Sequence, residues 1–221
     1  MLVIAAGSEH GWIPNSFFVL RTKKGGSLDY HKDMDAHNFE KWFSEKLVPN
    51  IPCPSVIVMD NARYHCRKSE RLPTIGDNKA SITKWLDDHS IEYPDPLKTL
   101  KVALLELCKR HFTGERYYVD DLAAEHGHTI LRLPPYHCHF NPIERIWGIW
   151  KQSMRKINTT FRADDCIKLC YDCSTSITSA AWHSQCQHVI GEERKAGNGS
   201  IILESDMEHT FKRADWSVIK Q

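Results

Sequence analysis

Two acidic residues, Asp60 and Glu144, stand where a chain can put a carboxylate to chemical use. Asp60 directly follows the apolar run Ser55 to Met59. An acid at the C-terminal end of a buried strand is where open α/β sheets place functional side chains. Glu144 follows the pair Asn141-Pro142. Asn suits a helix N-cap and Pro the first helical position, so Glu144 falls in the first turn of a helix. Taken alone, a first-turn carboxylate stabilises the helix N-terminus. Taken with Asp60, it is a second hard oxygen ligand. Two such charges ~4 Å apart at an effective dielectric of ~20 repel by about 4 kcal/mol. A divalent cation such as Mg²⁺ removes that cost and prefers oxygen donors.

The elements that position these acids can be read outward from them. Thr129 to Leu133 is a second buried-strand run, closed by Pro134 and Pro135. After Glu144, Ile146, Trp147, Trp150 and Met154 recur at helical spacing, so the helix buries one face. Upstream, Leu2 to Ala6 and Ser16 to Arg21 read as paired strands, with Lys23-Lys24-Gly25-Gly26 as a turn. Asp35 caps a helix from Ala36 to Leu47.

The stretches VIVMDNARYH and LPPYHCHFNPIERIW together resemble the catalytic core of the mariner superfamily of DDE transposases. Weaker similarity runs from about Leu2 to Val189. The resemblance implies a mixed α/β, RNase H-like sheet flanked by helices, with Asp60 as the second acid of a triad and Glu144 as the third. It implies phosphoryl transfer at transposon DNA ends, with strand cleavage and transfer in transposition. Two Mg²⁺ or Mn²⁺ ions ~3.5–4 Å apart would activate the attacking oxygen and stabilise the leaving one. His65 matches the family's His after Asp-Asn-Ala; it orients Asp60, touches substrate or makes a plain structural hydrogen bond. Asn61 and Asn141 flank the two acids as supporting residues. Arg145, Lys151, Arg155 and Lys156 either line a phosphate backbone or form the solvated face of an amphipathic helix. Family members act as dimers on DNA ends.

One part of the pattern departs from the family. The first acid belongs on a strand upstream of Leu2, expected in the middle of the sheet between the Leu2 and Asp60 strands. No Asp precedes Leu2, and Asp29, Asp33 and Asp35 match a loop and a helix start. The expectation is a C-terminal portion of a transposase, residues 1–190 forming an incomplete catalytic domain that is inert as an isolated chain. Ladder hydrogen bonds go unmade unless the two strands close up or another chain fills the gap. The alternative function is a catalytically silent remnant that binds nucleic acid or a partner protein.

Glu70 to Gly127 exceeds what a simple crossover needs and reads as a helical insertion. Its helices are Ala80 to His89, Leu97 to Phe112 (with Leu100, Ala103, Leu104 and Leu107 at core spacing) and Val119 to His126, with Gly127 at the C′ position. The first two, around Ile91 to Tyr93, resemble a SAP-type DNA-binding module; the alternative is an insertion that only packs on the core. Further on, Asp164 caps a helix to Ile177, another runs from Ala180 to Ile190, and residues 191–221 read as a polar tail, irregular beyond Gly191 and loosely held from Ile201 to Gln221.

Zinc is the rival chemistry. Cys166, Cys170 and Cys173 repeat at helical spacing with Leu169 and Ile177, which favours a buried stripe over a metal site. His137, Cys138 and His139 lie in the loop before Asn141 and read as loop polarity or as soft ligands. Glycine patterns for nucleotide or dinucleotide cofactors are missing, so no small-molecule cofactor is expected. Net charge is +1 across 221 residues, so any DNA-binding surface must be local. No apolar run approaches a ~20-residue membrane span, and the eight cysteines read as free thiols of a nuclear or cytoplasmic protein.

Overall fold

The computed structural model describes residues 1–20, 35–159, 162–197 and 216–220. The expected Lys23 to Gly26 turn, Asp29 and Asp33 lie outside them. The chain divides into two compact units, Met1–Arg67 with Val119–Gln221, and Lys68–Tyr118.

The first unit is built on a sheet ordered β2-β1-β6-β4-β5, with β3 also paired to β1. These strands are β1 (Leu2–Ser8), β2 (Gly11–Trp12), β3 (Phe18–Leu20), β4 (Val56–Met59), β5 (Thr129–Arg132) and β6 (Trp216–Lys220). Period-2 alternation sends side chains to two cores. Ile4, Ala6, Ile57 and Met59 face a cluster with Phe39 and Phe43 of the helical stretch beginning at α1 (Ala36–Trp42) and with Val119 and Ala123 of α4 (Tyr118–Glu125). Ala5 faces the other side. There it meets α5 (Pro142–Ile157), α6 (Ala163–Thr175) and α7 (Ser179–Gly197) through Ile146, Trp147, Cys170 and Trp182. Gly7 is required here, because the Trp182 ring occupies the space a Cβ would take.

Several expectations are met. Leu2, Val3 and Ile4 pair antiparallel with Leu20, Val19 and Phe18. Asp35 caps α1 by accepting from the Asn38 N–H at 2.8 Å. Gly127 takes a positive φ of 77°, as a C′ glycine does. Cys170 and Cys173 are buried in an apolar cluster, and burial pushes the Cys170 thiol up to about 11.

Others are corrected. The gap between β1 and β4 neither closes nor waits for a second chain: β6 of the same chain fills it. β6 runs antiparallel to β1, with Ala6 opposite Ile219, and parallel to β4, with Val58 opposite Val218. The loosely held tail is therefore wrong for residues 216–220, where the β-branched pair Val218-Ile219 suits a central strand. The irregular stretch expected beyond Gly191 is helical over 191–197, which continue α7 because Glu192, Glu193, Arg194 and Lys195 are good helix formers. Residues 198–215 lie outside the described set. Arg162, not Asp164, is the N-cap of α6, and Asp164 stands in its first turn.

The insertion is narrower than Glu70 to Gly127, because α4 contributes Val119 and Ala123 to the sheet core. The second unit holds α2 (Lys79–Asp88) and α3 (Lys101–His111) around its own core of Ile82, Trp85, Leu86, Leu104, Leu105 and Cys108. Leu100 is 78% exposed rather than buried. Asp95 holds the preceding turn, its carboxylate accepting from the Leu97 N–H and its carbonyl from Thr99, so α3 starts only at Lys101.

Candidate active site

Asp60 is the residue after β4, and the chain turns sharply behind it. Its Oδ1 accepts from the Ala62 N–H at 3.1 Å and lies 3.0 Å from His65 Nδ1. The same nitrogen is 3.2 Å from the Asp60 carbonyl. His65 closes a single 3₁₀ turn, Arg63–His65, and is fully buried. Its ring lies between Phe39, 4.2 Å away, and Tyr64, 4.3 Å away. Asn61 reaches across to β5, donating to the Leu133 carbonyl at 2.7 Å. The parallel β4–β5 register, which pairs Met59 with Arg132, is thereby extended past both strand ends.

Glu144 is placed by a different device. Asn141 is fully buried and caps α5, its Oδ1 accepting from the Ile143 N–H at 3.3 Å, with Pro142 at the start of the helix. The apolar face of α5, Ile143, Ile146, Trp147 and Trp150, is locked into the core. Glu144 is thus carried in the first turn, where the helix N-terminus favours its charge.

Tyr64 lies within electrostatic reach of both acids. Its phenol is pushed well above the ordinary tyrosine range, by burial first and then by the charges of Asp60 and Glu144. Sequence reasoning missed this residue, although its place between Asp60 and His65 was the available signal.

The basic residues sort by helix geometry. At ~100° per residue, Lys151 and Arg155 fall on the same stripe of α5 as Glu144, with Arg155 ~16 Å along the axis. Both are exposed. An added side chain at Gly148, between them and Glu144, would meet open space. Arg145 points elsewhere and donates to Gln185 of α7 at 2.6 Å. Lys156 is exposed on another face.

Among the described residues, no group of three or more His, Cys, Asp or Glu side chains is arranged to hold a metal ion. His137 instead stacks on Phe140 at 5.6 Å. The donor type at Asp60 and at Glu144 is a hard carboxylate, which Mg²⁺ or Mn²⁺ prefers. It does not suit zinc held by soft ligands.

A family model described as DDE superfamily endonuclease matches residues 16–168, more than half of the chain and inclusive of Asp60 and Glu144. The chain belongs to the DDE superfamily of endonucleases. No curated protein and no solved structure matches it. The α/β architecture is the RNase H-like fold of this superfamily, whose members generally use divalent metal ions and act on DNA. Among the described residues, no helix is long and apolar enough to cross a membrane.

Proposed function

We propose that this DDE endonuclease domain is of the mariner type and that Asp60 and Glu144 share one divalent cation, Mg²⁺ or Mn²⁺, at a DNA phosphodiester. The observation that carries the reading is that Asp60 follows strand β4 and Glu144 stands in the first turn of α5, both within the matched residues 16–168. When bound, the ion supplies Lewis-acid stabilisation of the phosphoryl oxygens. The chain's own residues do the rest. His65 and the Ala62 N–H fix the rotation of the Asp60 carboxylate through Oδ1. Asn61 and Asn141 hold the backbone on either side. Lys151 and Arg155, on the stripe below Glu144, receive the phosphate backbone, while Arg145, bonded to Gln185, and Lys156 lie off that track.

The reading also assigns inertness to the isolated chain. Carried two residues on, the β4–β6 register sets position 220 level with Asp60, and the segment Trp216 to Lys220 contains no acid. The strand beside Asp60 thus brings no third carboxylate. This feature favours the second reading, a silent DNA-binding remnant that uses the same basic track.

A duplex-nicking assay with Mg²⁺ or Mn²⁺ and a DNA-binding titration at two salt concentrations test both. The expected result is salt-sensitive binding without cleavage, with the slope of log K against log salt falling by about one for each of Lys151→Ala and Arg155→Ala. Cleavage that disappears in Asp60→Ala would overturn the inertness while establishing the site. Absence of DNA binding at either salt concentration would sink the DNA-binding readings.

A further inference from the structure

We propose that Arg132 is a positioning residue for the Asp60 carboxylate and acts on it through His65; the idea rests on reading Asp60 as a metal ligand. Arg132 ends β5 and pairs with Met59, the residue before Asp60. Its side chain is only 15% exposed. The guanidinium forks onto Asp120 of α4, with Nη2 2.6 Å from Oδ1 and Nε 3.2 Å from Oδ2. Nη2 also donates to the His65 carbonyl at 2.9 Å, and Nη1 reaches the Cys66 thiol at 3.4 Å.

The His65 ring needs such an anchor. Its Nδ1 faces Asp60, and its Nε2 is buried with no hydrogen-bond partner among the described residues. Among the described residues, no polar contact on the far side of the ring fixes how Nδ1 meets Oδ1. The ring is set by packing against Phe39 and Tyr64 and by the main chain of its own turn. Arg132 holds that main chain at the His65 carbonyl, and Asp120 holds Arg132. The chain of contacts Asp120–Arg132–His65–Asp60 resembles the outer-shell support that orients metal-binding carboxylates elsewhere. A planar guanidinium is required, because the fork and the third bond use donors in fixed directions, which an ammonium group does not supply.

The test uses the whole chain with Arg132→Ala, Arg132→Lys and Asp120→Asn. Thermal unfolding checks the fold of each variant. Nitrogen-15 shifts of the His65 ring at one fixed pH, without metal, report whether the hydrogen stays on Nδ1 facing Asp60. Binding of Mn²⁺ alone reports the site. The expected result is that both Arg132 variants shift the His65 nitrogens towards a tautomer mixture and weaken Mn²⁺ binding by roughly 10–100-fold. Arg132→Lys does not rescue. Asp120→Asn, which keeps the guanidinium and loosens its fork, shifts both readouts less in the same direction and decides the matter if the Arg132 variants do not fold. Wild-type His65 shifts in folded variants would overturn the proposal, whatever Mn²⁺ does. Wild-type protein that binds no Mn²⁺, with His65 still responding to the substitutions, would sink the metal reading and leave the positioning role standing.

Discussion

The turn behind Asp60 and the first turn of α5 deliver the same kind of side chain by opposite means. Asp60 is held by discrete polar contacts, from Ala62 and from a buried His65 whose main chain is gripped by Arg132. Glu144 is held by the body of a helix, whose cap and apolar face fix its first turn before any contact of the carboxylate counts. The difference teaches where each arm is vulnerable. The Asp60 arm can be loosened by polar substitutions that barely touch the core. The Glu144 arm moves when packing or capping is lost.

The largest effect is expected from deleting β6. Removing residues 216–221 strips both β1 and β4 of a ladder partner in the middle of the sheet. Ladder hydrogen bonds are lost on both sides of β6, at about 1 kcal/mol net each, so the loss is several kcal/mol, comparable with the stability of a typical domain. Thermal unfolding should show a lost or strongly lowered transition, and a synthetic peptide spanning 212–221 should restore part of it. The strand-borne Asp60 arm fails first in this test, since β4 loses a neighbour directly.

Trp147→Ala breaks the other arm. Trp147 is 3% exposed and packs against Trp12 and Trp150. Truncation should cost about 3–5 kcal/mol, read by denaturant unfolding. Asn141→Ala sharpens the comparison at a smaller scale, with a cost of about 1–2 kcal/mol from the lost cap. Its effect should fall on Glu144 and leave the His65–Asp60 contact as it is, which side-chain NMR of His65 can read.

The smallest effect is a pH dependence away from both arms. Burial holds the Glu193 carboxyl at about 7, above the ordinary glutamate value of 4.5. Between those values the folded state binds more protons than the unfolded one, so this group lowers stability as pH rises through the window. Glu193→Gln should therefore raise stability at pH 8 and change it little at pH 4. Equal gains at both pH values would show that the carboxyl is not held up by the fold.

Much of this was legible in the chain itself. The Asn141-Pro142 start and the Ile143, Ile146, Trp147, Trp150 spacing define α5 because cap chemistry and helical period agree. The SVIVM run gives β4 because a buried parallel strand is uniformly apolar. β6 was not legible. Its five residues follow a polar stretch, and nothing local says that a strand far along the sequence pairs with β1 and β4. The Asp120–Arg132–His65 chain was equally hidden, since it depends on bringing α4, β5 and the turn after Asp60 together. Tyr64 lay in plain view between two chosen residues, yet only the fold shows both acids acting on it.

Mn²⁺ binding in wild type, Asp60→Ala, Glu144→Ala and the double variant tests the shared-ion claim most directly. The account predicts one weak site in wild type, at least a tenfold loss in either single variant, and no further loss when both are combined, because the two side chains serve one ion. Identical Mn²⁺ binding in all four proteins, or losses that add as for independent sites, would contradict it.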